Sequence, residues 1–260
     1  MSKRIGTAWA RQLGRIGRQA MQAGSKAMGQ AIGKAVVRAA GSPGSALVAP
    51  ARRRAVARQR AVARVAAVPG RWTSGTASTA GCARRWRLYS PPPLAGAARG
   101  ERLPLLVLLH GCTQDAEGFA ASTGMNRLAA RERFLVLYPE QDRLANPQGC
   151  WNWFDTERGR AQAEADTVLA AIDQVCASRR ADPQRVVVAG LSAGASLAAL
   201  LALRHPMRLR GVVMHSGVPP GTAHGTLSAL AAMGGRRPTA ALGQAGDGTP
   251  WPPLLVLHGS

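Results

Sequence analysis

The residues Gly190-Leu191-Ser192-Ala193-Gly194 have the types and spacing of a serine nucleophile held on a sharp turn. The apolar stretch Val186 to Ala189 precedes them and an alanine- and leucine-rich stretch, 193–204, follows, so the turn reads as a junction between strand and helix. Side chains larger than hydrogen at the two glycines would collide with the neighbouring strand and helix. Ser192 Oγ would then project from the carboxyl end of a sheet, where ligands bind in open α/β folds. Acyl transfer at such a serine needs two backbone N–H donors aimed at the developing oxyanion. Ala193, the next residue, is the candidate for one, and Cys112, in the loop opened by His110-Gly111-Cys112, is the candidate for the other. His110 itself reads as a residue that shapes this loop, because the base in this arrangement follows the serine in the chain.

The elements that would carry these residues are short apolar runs separated by helical stretches. Strands are expected over 84–90 (an edge strand), 104–110, 134–139, 185–190, 210–217 and 252–259. Helices are expected over about 115–131, over 164–180 with Val168, Leu169, Ile172 and Val175 on one face, and over 193–204. This alternation gives an α/β fold with a mostly parallel open sheet and helices on both faces. The chain has 260 residues, 46% of them hydrophobic, which is enough for one such domain over 71–260 and an appendage.

The appendage is the basic front. Residues 1–100 hold 19 of the 34 Lys and Arg and no acid, whereas 101–260 hold 15 basic and 13 acidic residues, so the net +21 sits mostly before the domain. That asymmetry argues against a uniformly basic nucleic-acid domain and against a wholly disordered chain. Ile5, Trp9, Leu13, Ile16 and Ala20 recur at helical spacing opposite Arg4, Arg11, Arg15 and Arg18, so a basic amphipathic helix is expected there. Residues 41–70, with Pro43, Pro50 and Pro69-Gly70, read as linker. Residues 1–40 would suit an anionic surface, more than nucleic acid, or else form a solvated tail whose arginines reflect GC-rich coding. No signal peptide is recognisable, because arginines interrupt every candidate apolar stretch. No apolar run approaches the roughly 18 residues of a membrane span, so an integral membrane protein is not expected. The four cysteines include no C-x-x-C pair and no histidine at ligand spacing, so neither a metal nor another cofactor is expected.

Residues 82–260 resemble the poly(3-hydroxybutyrate) depolymerase family of carboxylesterases, α/β-hydrolases with feruloyl and acetylxylan esterase relatives. The resemblance rests on PLLVLLHGCTQ (104–114), QGCWNWF (148–154), DPQRVVVAGLSAG (182–194) and MHSGVP (214–219). It implies an ester or polyester substrate, a serine acyl-enzyme route with Ser192 as nucleophile, and an extracellular location, with a cytoplasmic one as the alternative. It also sets Cys112 and Cys150 on two loops that meet at the mouth of the site, where an oxidising compartment would let them pair. The family places a catalytic Asp shortly after a strand ending in His-Gly and a catalytic His on a later loop. Here PPLLVLHGS ends at Ser260, Asp247 precedes that strand, and His258 matches His110 in position, so the domain reads as incomplete at its C-terminal end. His205, His215 and His224 have no acid nearby in sequence.

Trp151, Trp153 and Phe154 are concentrated in a chain with 4% aromatics. They suit either the wall of a pocket for acyl or aromatic groups or the anchoring of their loop in the core, with Trp151 the better anchor. Two readings of the whole chain follow. One is a serine carboxylesterase impaired by the missing Asp and His; the other is a non-catalytic relative that binds an ester or polyester surface.

Overall fold

The computed structural model describes residue 63 and residues 68–93, 100–234 and 250–258. The stretch 5–20, most of the linker expected over 41–70, and Asp247 lie outside the described residues. Continuous apolar runs can occupy the middle of a sheet only if both their faces are covered. Four of them do so: β3 (Leu103–Leu109), β4 (Leu135–Glu140), β5 (Ala181–Leu191) and β6 (Gly211–His215) lie parallel, and β7 (Leu254–Leu257) adds a fifth parallel strand at one edge. A hairpin of β1 (Arg71–Thr79) and β2 (Cys82–Ser90) joins antiparallel to β4, giving the order β1-β2-β4-β3-β5-β6-β7.

The strand over 84–90 is therefore an interior strand, not the expected edge, because β1 covers its outer side. β1 was not legible in RWTSGTAST, which has no apolar alternation. Its pairing depends on β2: Gly75 lies opposite Trp86, and a Cβ on Gly75 would come within 2.3 Å of the indole ring. That ring is 5% exposed, and its Nε1–H donates to Gln174 Oε1 at 3.0 Å. The glycine is thus the floor on which a buried tryptophan rests.

Helices cover both faces. The stretch expected as one helix over 115–131 divides into α1 (Ala116–Thr123) and α2 (Met125–Glu132), because Gly124 at φ 60° turns left-handed and closes α1 by donating to Ala120 O. Asp115 caps α1, accepting from the Gly118 N–H at 2.8 Å. These two helices pack with Leu106, Leu108, Val136 and Tyr138 on one face. On the other, α3 (Arg160–Ser178) and α4 (Ala193–Arg204) cover Val107, Leu137, Val188 and Met214. Burial of Val168, Ile172 and Val175 from α3 contributes about 1.5–3 kcal/mol each. A short 3-10 turn, Pro206–Arg208, and α5 (Thr226–Met233) complete the described elements. Leu254, Leu255 and Val256 of β7 remain 52%, 40% and 56% exposed.

Valine has the higher strand propensity, yet Gly75→Val will destabilise the fold by about 1–3 kcal/mol, since overpacking against the indole outweighs propensity. A lowered urea midpoint with an unchanged m-value checks this.

Candidate active site

Ser192 sits between the last residue of β5 and the first of α4 at φ 54° and ψ −119°, a conformation L-residues seldom adopt. Its N–H donates to His215 O at 2.8 Å, which ties the turn to the end of β6. Its carbonyl accepts from the N–H groups of Ala195 (2.9 Å) and Ser196 (3.1 Å), so α4 starts at once. Ser192 holds the N-cap position without using its hydroxyl as a cap, and among the described residues no hydrogen bond takes up Oγ of this half-buried residue. The two flanking glycines are required by backbone contact. A Cβ on Gly190 would lie 2.2 Å from Gly194 O, and one on Gly194 would lie 2.3 Å from Leu109 O and 2.6 Å from His110 O.

The same contact brings the loop after β3 alongside the turn. In that loop the N–H of Gly111 donates to Gln114 Oε1 (2.8 Å), that of Thr113 to Gln148 O (2.8 Å) and that of Gln114 to Gly111 O (3.3 Å). The Cys112 N–H makes no such bond among the described residues, nor does that of Ala193 at the first turn of α4. Two unspent donors therefore flank the Ser192 turn, and the helix dipole adds positive potential at its N-terminal end.

A buried polar network holds this loop. Gln141 N–H donates to His110 Nε2 at 3.1 Å, so Nε2 is the acceptor and Nδ1 carries the hydrogen that it donates to Gly111 O at 2.8 Å. His110 O accepts from Trp151 Nε1 at 3.0 Å. Gln141 Nε2 donates to Cys150 O (2.9 Å) and to Glu164 Oε1 (2.8 Å). Glu164, 2% exposed on α3, also accepts from Arg84 (2.7 Å), from Asn152 Nδ2 (2.7 Å) and, at Oε2, from the Asn152 N–H (2.8 Å). A disulfide joins Cys112 to Cys150 across 38 positions, which in the chain-entropy picture is worth about 4 kcal/mol. The sequence reading missed this network. Glu164, Gln141 and Asn152 look like surface residues until their partners are known.

Of the two alternatives, Trp151 and Trp153 take the anchoring one and not the pocket wall. They are 0% and 5% exposed and belong to the core beneath the loop, because the Trp151 indole must reach the His110 carbonyl from below. Phe154, half-buried and edge-on to Trp153, is the most exposed of the three.

His205 does have an acid, Asp166, whose Oδ1 lies 2.9 Å from its Nε2. This pair sits at the far end of α4, roughly 20 Å from Ser192 by helical rise. His224 Nδ1 lies 4.0 Å from Glu157 Oε1, both groups well exposed. His215 lies in register with Leu191 and Leu257, so Ser192, Ser216 and His258 form the next row. His258 is exposed and two strands, about 10 Å, from Ser192. Among the described residues no group of three or more His, Cys, Asp or Glu side chains is arranged to hold a metal ion.

The family profile described as esterase PHB depolymerase matches residues 85–260. The chain belongs to this family. Poly(3-hydroxyalkanoate) depolymerase C of Paucimonas lemoignei is 36% identical over 166 residues, covering 60% of this chain and 40% of that one. Feruloyl esterase B of Neurospora crassa is 28% identical over 147 residues, covering 56% and 48%. The chain thus spans less than half the length of these two curated relatives. Among solved structures, an esterase of Pyrobaculum calidifontis aligns with a TM-score of 0.52 at 21% identity, covering 77% of this chain and 70% of that one. An acetyl xylan esterase of Aspergillus awamori aligns at 0.50 and 20% identity, covering 60% and 56%. These likenesses establish the α/β-hydrolase fold.

Two outcomes are expected of the network in this depolymerase-family domain. Glu164→Ala leaves Arg84 buried without its carboxylate and will cost about 3–5 kcal/mol, read from the urea midpoint. Burial holds the His110 imidazole below its ordinary value, despite the opposing Gly111 bond and nearby Glu140 and Asp115. The unfolded chain therefore binds that proton more readily, and stability present above pH about 6.5 is lost as pH falls through that value. His215, also lowered by burial and then by His258, acts with the same sign. The melting temperature will fall between pH 7.5 and 5.5, and His110→Gln will have a lower melting temperature at pH 7.5 but a shallower slope.

Proposed function

We propose that the chain is a carboxylic ester hydrolase acting through an acyl-enzyme on Ser192, with polyesters of the hydroxyalkanoate type and short-chain esters as its substrate class. The observation that carries this reading is the Ser192 hydroxyl, taken up by no hydrogen bond among the described residues, on a strained turn beside the unspent N–H groups of Ala193 and Cys112. Ser192 Oγ attacks the ester carbonyl carbon, and the carbonyl oxygen takes the electron pair as an oxyanion that accepts from those two donors. Collapse expels the alcohol with the proton taken from Ser192, and water then releases the acid. Loss of one such donor costs about 10²–10³ in rate in comparable sites. Phe154 serves as a wall for the acyl chain. The Cys112–Cys150 disulfide supports an oxidising, extracellular setting.

Proton transfer is the weak step. Among the described residues neither histidine–acid pair stands beside Ser192: His205–Asp166 lies at the wrong end of α4, and His224–Glu157 is exposed to solvent. This favours impaired turnover, and it is the observation behind the second reading, a relative that binds esters without cleaving them.

A fluorophosphonate probe will label the protein, and Ser192→Ala will abolish labelling; equal labelling of the variant overturns the assignment. With p-nitrophenyl butyrate, turnover will fall below the ordinary range of about 1–10³ s⁻¹. Turnover within that range, lost in both Ser192→Ala and His258→Ala, would instead make His258 the base.

A further inference from the structure

The amino end of the sheet, opposite Ser192, carries a second concavity. A cavity of about 500 Å³ opens where β1 begins, β2 ends, and β3 and β4 start, beside the last turn of α3. That volume falls within the roughly 300–1,000 Å³ of small-molecule sites. Leu103 in the cavity wall and Leu109 beside Gly190 are six residues apart along β3, so the cavity is roughly 25 Å from the candidate active site.

Its lining has two halves. Leu103, Leu135 and the run Pro91-Pro92-Pro93 make an apolar floor. Arg71, Arg133, Arg179 and Arg180 stand around it with one carboxylate, Glu101. Arg133 engages that carboxylate at 2.7 Å. The side chains of Arg71, Arg179 and Arg180 make no ion pair or hydrogen bond among the described residues.

Several arginines of the domain face carboxylates, Arg84 meeting Glu164, Arg85 Glu140, Arg87 Glu117 and Arg204 Asp166, whereas Arg127, Arg143, Arg158 and Arg210 make no ion pair among the described residues. What sets Arg71, Arg179 and Arg180 apart is that all three line one cavity with an apolar floor. Arg71 is paired with Ser90 across β1 and β2, and the Arg179 N–H donates to Val175 O at 2.9 Å. Arg133 and Arg180 hold left-handed conformations (φ 59° and 61°), and the Arg180 carbonyl is pinned by the Leu103 N–H at 2.8 Å. The C-terminal end of α3 contributes negative partial charge here, so an anion must be held by the arginines and not by the helix.

We propose that this cavity binds an amphiphilic organic anion, a carboxylate or phosphate monoester with a short apolar body. The apolar part lies on Leu103, Leu135 and the prolines, and the head group lies between Arg71, Arg179 and Arg180. Guanidinium forks suit both head groups, since each offers two oxygens in one plane.

Isothermal titration calorimetry of the full chain tests this with hexyl phosphate, hexanoate, inorganic phosphate and 1-hexanol. Saturable binding of hexyl phosphate or hexanoate is expected, with the tighter of the two identifying the head group. Inorganic phosphate and hexanol should each bind at least tenfold more weakly. The Arg71→Gln/Arg180→Gln double variant should bind at least tenfold more weakly, while Arg127→Gln, on the exposed side of α2, should bind as the parent does. Affinity of the unaltered protein should fall as salt rises, which needs no variant to fold. Absence of saturable binding by both amphiphiles, salt-insensitive binding, undiminished binding by a folded double variant, or equal binding of hexanol or of inorganic phosphate would each overturn the proposal. Hydrolysis at Ser192 enters none of these readouts, so the fate of that reading is decided separately.

Discussion

The backbone of α4 passes so close to the end of β3 that position 194 has no room for a Cβ beside the carbonyls of Leu109 and His110. A helix bearing any side chain there would be pushed off the sheet, and the serine at its head would move with it. Gly190 repeats the constraint inside the turn, and Gly217 repeats it between the exit of β6 and Ala195. Three close approaches thus wedge the start of α4 between β3, β5 and β6. Ser192 can keep an unfavourable φ because each neighbour of the turn is already immobilised.

The loops around the serine are held differently, by polar groups inside the core. Glu164 spends both carboxylate oxygens on Arg84, Gln141 and Asn152, and so links β2, the loop after β4 and α3 at one buried point. His110 passes that order on to the Gly111-Cys112 turn through its two ring nitrogens. A group deprived of its partner in such a dry network costs more than one at the surface, which makes each member sensitive to substitution. The disulfide adds a covalent link over the same loops.

What was legible in the sequence follows from how far each signal reaches. The runs at 104–110, 134–139 and 185–190 declared themselves as buried strands because their burial is two-sided and local pattern suffices. The G-x-S-x-G junction was legible because its steric requirement lies within five residues. β1 was not, since a small, polar strand depends on Trp86 eleven positions on. The break at Gly124 was hidden by helix-favouring residues on both sides. Trp151 and Trp153 left wall and anchor both open in the sequence, and only the acceptor of the Trp151 N–H shows which applies. His205 found its partner 39 positions away, a distance at which no spacing rule operates.

The bridge between Cys112 and Cys150 turns the chain between them into a covalent ring that encloses α1, α2 and β4. On the rim of that ring, Arg143 and Leu144 project into solvent, the leucine 95% exposed. A peptide bond cut there leaves two polypeptides still joined through sulfur, with β3 on one piece and β5 on the other. The sheet that seats Ser192 can therefore survive a severed backbone, and the injury becomes visible only when a thiol opens the ring.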